Sequence, residues 1–142
     1  MKNVLKIALL LTSCSVLWAQ LPQQIPLNNP NGTWESASGT RYNLRLTGKN
    51  LEVKLADTSN PTYLQFELTL TQHKDDINRY EGKGFFRAKL KSGTECRFDT
   101  EWEIVVIGEK NIVGNAPRYV EPDPTTCKPK EKVMDRIELK KK

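Results

Sequence analysis

The chain is short of the residues that most site chemistry needs. One histidine and three cysteines among 142 residues leave too little for a His/Cys metal site or a histidine-based triad. No nucleotide-binding glycine loop, no His-Glu-x-x-His and no Gly-x-Ser-x-Gly occurs. These gaps argue against an enzyme, a resident metal and a cofactor. Long apolar runs are missing too: the most apolar stretch, Ile7–Trp18, falls short of the ~20 residues of a membrane-spanning helix. Proline is absent between Thr62 and Ala116, as paired interior strands require. What is present suits one globular domain, with 37% hydrophobic and 27% charged residues.

The N-terminus reads as an address. Met1–Lys6 carries two lysines and no acid, Ile7–Trp18 is uncharged, and Ala19 is small. That order is the pattern of a secretory signal peptide over residues 1–19, cut between Ala19 and Gln20. A second processing route stays open. Leu11-Thr12-Ser13-Cys14 matches a bacterial lipobox, in which Cys14 is lipidated and anchors the protein. Plain export to the periplasm or the exterior is preferred, because the apolar region before Cys14 is cramped and an apolar stretch follows it.

Without residues 1–19 the chain keeps 20 basic and 17 acidic residues, a net charge of +3. Residues 128–142 alone hold seven basic and three acidic residues, so the remainder is near neutral. This is no nucleic-acid footprint, which needs basic residues spread over one face among stacking aromatics. It reads as a solvated last strand with a frayed lysine end. Cys96 and Cys127 then form an even pair suited to an oxidising compartment, expected as a disulfide around a loop of about thirty residues. A monomer is expected.

Gln20–Asn31, with three prolines, three glutamines and three asparagines, reads as a polar tether ahead of a domain over 32–142. From Gly32 onward apolar residues recur with period two, the spacing of half-buried strands. Tyr42, Leu44 and Leu46 alternate with Arg41, Asn43 and Arg45. Cys96, Phe98, Thr100, Trp102, Ile104 and Val106 share one face of a long strand. The pattern predicts about eight strands, near 33–37, 40–47, 50–56, 62–72, 79–91, 94–107, 111–115 and 131–140, joined mostly by tight turns such as Ser38-Gly39, Ser59-Asn60-Pro61 and Ser92-Gly93. Residues 116–129, with four prolines, read as the one long loop.

No amphipathic helix is available to cover the apolar face, so an all-β, antiparallel, up-and-down barrel is expected, with a two-sheet sandwich as the other architecture. Gly82 and Gly84 share the inward face with Tyr80 and Phe86, and a tight Ser92-Gly93 turn would set Gly82 beside Trp102. A bulky ring covering a glycine, a sharp strand bend and a glycine-lined cleft are the readings of that pair.

Gly32-Thr33-Trp34 opens the domain and Arg136 lies in the last strand. Together they resemble the signature of lipocalin-like (calycin) barrels. The Thr-Asp-Tyr motif of the lipocalins proper is not present. The resemblance implies that Arg136 stacks on Trp34 and plugs the narrow end of the barrel. Ser38-Gly39-Thr40-Arg41-Tyr42 is also similar to the Ser-Gly-x-x-Tyr stretch of bacterial periplasmic lysozyme inhibitors.

Other chemistry is weak. Asp99, Glu101 and Glu103 sit on the outward face, opposite Lys83, Arg87 and Lys89, and read as a solvated charge ladder. His73-Lys74-Asp75-Asp76 reads as a polar loop. Inward parity makes Trp102, Tyr80 and Asp135 the candidate ligand contacts. The resulting expectation is a non-catalytic exported barrel that binds a small apolar molecule. The alternative is a protein-binding module of the cell envelope, such as an enzyme inhibitor or a lipid-anchored adaptor, using Phe85 or the long loop. The choice turns on whether Leu44, Leu64, Phe66, Phe86, Phe98 and Trp102 fill the interior.

Overall fold

The computed structural model describes residues 26–56 and 62–142. The residues read as a leader, Cys14, the first part of the segment read as a tether and the expected Ser59-Asn60-Pro61 turn lie outside the described residues. Eight strands follow in order: β1 (Gly32–Ser36), β2 (Arg41–Thr47), β3 (Asn50–Leu55), β4 (Tyr63–Gln72), β5 (Arg79–Lys89), β6 (Glu95–Ile107), β7 (Asn111–Val120) and β8 (Glu131–Lys141). Each pairs antiparallel with its sequence neighbour, and β8 returns to β1 through Trp34↔Lys141 and Ser36↔Leu139, closing the barrel. No helix of the described residues is long and apolar enough to cross a membrane.

Alternation explains the closure. Tyr42 and Leu44 of β2 and every second residue of β6 are buried while their neighbours are more exposed, and the closed sheet removes those faces from water at once. The up-and-down path sorts the connections between two ends. One end carries the β2–β3, β4–β5 and β6–β7 turns. The other carries the β1–β2, β3–β4, β5–β6 and β7–β8 connections. At the first end Trp34, Leu51, Leu70, Tyr80, Ile104, Val106, Ile112 and Leu139 pack with 1% exposure or less.

Two sequence expectations need correction here. The stretch read as a tether is structural from Pro26: the Asn28 amides bond to Asn78 Oδ1 and the Val106 carbonyl, Asn78 donates to the Pro26 carbonyl, and Leu46 N–H donates to Asn31. Asparagines satisfy strand ends that would otherwise be open, so this polar segment caps the packed end. The lysine end is not frayed, because β8 runs to Lys141, whose N–H bonds to the Lys110 carbonyl.

β7 is also longer than the alternation implied. Its first half pairs with β6 over Asn111–Asn115, but beyond that it pairs with β8 alone. Pro117, which has no N–H to donate, stands where no β6 partner is present. The β6–β7 seam is therefore unzipped toward the second end. Across it run the Tyr119 hydroxyl bond to the Asp99 carbonyl, the Lys132–Glu101 ion pair at 2.9 Å and the Cys96–Cys127 disulfide, which ties the β7–β8 loop to β6.

Gly82 pairs with Leu70 on one side and Trp102 on the other, and Gly84 with Leu68 and Thr100. A Cβ on Gly84 would sit on the Glu67 carbonyl oxygen and 2.6 Å from Leu68 Cα. The glycines therefore let β4 and β5 approach more closely than side chains permit. Gly84→Ala is expected to destabilise the barrel by about 1–3 kcal/mol, since the obstacle is backbone and cannot rotate away. Urea unfolding followed by circular dichroism checks this, and an unchanged midpoint would show that the strands separate without cost.

Candidate functional site

The end opposite the packed one is open. A cavity of about 580 Å³ enters the barrel there, between the β1–β2 turn, Thr62 and Tyr63, Leu90 and the β7–β8 side. That volume is in the range of small-molecule sites. Most of its wall comes from inward positions of β2 and β4 to β8, and Arg136 and Glu138 join it from the alternate positions of β8.

Three rings form the tightest group: Tyr42, Phe66 and Trp102 meet edge-on or tilted, with centroids 5.1 to 5.3 Å apart. From them a ring path rises along the wall, Phe66 to Phe86, Phe86 to Phe98 at 5.2 Å, and Phe98 stacked on Tyr119 at 4.9 Å. The last pair covers the unzipped seam from inside. Tyr63 meets Phe86 edge-on at 5.7 Å. Such contacts hold rings in fixed orientations, which keeps a partly empty interior from collapsing.

Hydroxyls interrupt the apolar wall. Thr100 is buried on β6 between Phe98 and Trp102 and lines the cavity. Ser36, Ser38 and Thr40 form a hydroxyl chain at the β1–β2 turn, and Tyr42 hydrogen-bonds to Thr40. Burial holds the phenols of Tyr42, Tyr63 and Tyr119 above the usual tyrosine range, with the Tyr63 phenol adding to the shift at Tyr42. All three stay uncharged hydroxyls at neutral pH.

At the rim Arg118 Nε donates to Asp135 Oδ2 at 2.5 Å. Both line the cavity, and in-register pairing of Ala116 with Asp135 brings them together from β7 and β8. The Asp135 side chain is 41% exposed, so it stands at the mouth with an arginine partner rather than in the core.

Of the candidate contacts, Trp102 and Asp135 line the cavity and Tyr80 does not. Tyr80 is fully buried at the packed end, opposite Gln72 and Ile104, too far down β5 to reach the open half. Arg136 does not plug Trp34. Its parity points it outward, opposite Asn115 and paired with Glu138 at 3.1 Å. The cation over the Trp34 ring is Lys141, 5.5 Å from its centroid, which shares the parity of Leu139 and pairs with Trp34 in register.

Of the six side chains weighed as interior filling, Leu44 belongs to the packed core and Phe66, Phe86, Phe98 and Trp102 are cavity wall. Leu64 is displaced. A register shift between Tyr63 and Gln65 gives Tyr63, opposite buried Ala88, the inward place. Alternation alone misses Tyr63 for that reason, and it misses Arg118 because prolines made its segment read as loop.

The outer face is a charge ladder, with Lys83 opposite Glu101, and Arg79 and Arg87 paired to Glu103 and Glu95. Arg97 lies 3.8 Å over the ring of Phe85 and covers it. His73 Nδ1 accepts from Asp75 N–H within its turn, and no group of three metal-ligating side chains occurs among the described residues. Comparison with known protein families, with curated proteins and with solved structures finds no match for this chain.

Proposed function

We propose that this is an exported binding protein, periplasmic or secreted, whose half-open barrel holds a small and largely apolar molecule. One observation carries the reading. The interior is packed at one end, while rings and hydroxyls surround about 580 Å³ of open space at the other. A barrel that needed only stability would fill that space with side chains. The resemblance to lipocalin-like barrels points the same way, with Lys141 in the place given above to Arg136. Binding is preferred to catalysis because the groups at the cavity are ring edges, hydroxyls and two mutually neutralising ion pairs, Arg118–Asp135 and Arg136–Glu138. The leader and the disulfide both suit export, and intact-mass analysis separates a mature chain starting at Gln20 from one lipidated at Cys14.

Native mass spectrometry of the protein purified from its own source is expected to show a co-purifying small molecule. Tryptophan fluorescence should respond to its removal, and Trp102→Phe should abolish the response while Trp34 still emits. The competing reading, a protein-binding module of the envelope, is favoured by Met134, which is 53% exposed beside an outer hollow that Glu81, Lys83, Glu101 and Glu103 also line. A bare native mass together with a stable protein partner in pull-down would favour that reading instead.

A further inference from the structure

We propose that the ligand carries an uncharged polar head, a hydroxyl or an amide, held at the mouth by Arg118 and Asp135. The inference rests on the binding reading above and names the class of molecule. Along the inward positions of the eight strands, Arg118 and Asp135 are the charged residues of the open end; Arg136 and Glu138 also line the cavity, from the alternate positions of β8, and are paired with each other at 3.1 Å. The only other inward charge among the described residues, Lys141, is at the packed end over Trp34.

Arg118 and Asp135 neutralise each other at 2.5 Å, so the mouth presents a dipole and no net charge. Only Nε of the guanidinium is committed to Asp135 among the described residues. The two Nη groups remain as donors and Asp135 Oδ1 as an acceptor. A hydroxyl or amide uses both at once, donating to the carboxylate and accepting from the guanidinium. A carboxylate head gains Arg118 but also meets the Asp135 carboxylate paired with it, and an ammonium head meets the reverse. Either must also shed water next to rings that cannot replace it. The body of the molecule then lies against the rings of Phe66, Phe86 and Trp102.

The test uses four probes with one apolar body: nonanol, nonanoate, nonylammonium and nonane, titrated calorimetrically into the mature protein at neutral pH. Nonanol is expected to bind about tenfold more tightly than the other three. Asp135→Asn leaves Arg118 uncompensated and should raise nonanoate affinity about tenfold. Arg118→Met should do the same for nonylammonium, and circular dichroism confirms that each variant is folded. If the native protein binds nonanoate, nonylammonium or nonane as well as nonanol, the head assignment is wrong while the binding reading stands. The head assignment is equally wrong if the variants leave the ranking unchanged. If the native protein binds none of the four, the binding reading itself is wrong.

Discussion

Trp34→Ala is expected to cost the barrel about 3–5 kcal/mol, the usual loss for truncating a fully buried large aromatic. The ring has no exposed surface, and its Nε1–H donates to the Pro30 carbonyl at 2.8 Å. Removing it leaves a void at the best-packed end and orphans an acceptor in a buried proline. The capping segment 26–31 loses its anchor to β1 in the same step. Trp34→Phe retains most of the ring and loses the hydrogen bond, so its cost should be clearly smaller. Lys141→Met tests the other contact. A half-buried cation 5.5 Å from the ring contributes on the order of 0.5–1 kcal/mol, so that variant should move the midpoint little. Urea unfolding followed by far-ultraviolet circular dichroism ranks the three. A Trp34→Ala protein within about 1 kcal/mol of the parent would mean that the end closes without the ring.

The parts of this fold that could be read from the chain are those governed by short-range parity. β2 to β6 fall within a few residues of where alternation places them, and the Gly82–Trp102 pairing follows from one tight turn. Parity alone also marks Asp135 as an anomaly worth following. What parity cannot carry is anything that breaks it or acts across the barrel. The shift after Tyr63 exchanges Leu64 for a tyrosine in the cavity wall. Pro117 looks like a strand breaker until the unzipped seam shows that its missing N–H has no partner to lose. Arg118, one residue on, is hidden by the same proline. Lys141 and Trp34 meet only because β8 closes on β1, a contact more than a hundred residues long in sequence that spacing cannot announce. Capping by Asn28 and Asn31 is of the same kind. A polar, proline-rich stretch looks solvated when read alone and becomes structural when strand ends are there to receive it.

Replacing Cys96 and Cys127 together with serine is expected to cost about 3–4 kcal/mol, the chain-entropy value for a crosslink of this span, with 31 residues separating the two cysteines. The loss should not be spread evenly. Below Asn115 the β6–β7 seam is held by a backbone ladder that does not need the crosslink. Above it, the remaining ties are the Tyr119–Asp99 hydrogen bond, the Phe98–Tyr119 stack and the half-exposed Lys132–Glu101 pair. A surface ion pair of that kind contributes little, and the ring stack on the order of 0.5–1.5 kcal/mol beyond its burial. Amide exchange should therefore accelerate most over 95–102 and 116–120, and little at the packed end around Ile104 and Ile112. The same region carries Arg118, Phe98 and Tyr119, so probe affinity should fall in the double variant even at temperatures where circular dichroism still reports a folded barrel. Reduction of the native protein should reproduce both effects. Uniform acceleration across all eight strands would mean instead that the crosslink stabilises the barrel as a whole, with the upper seam closed by its side chains alone.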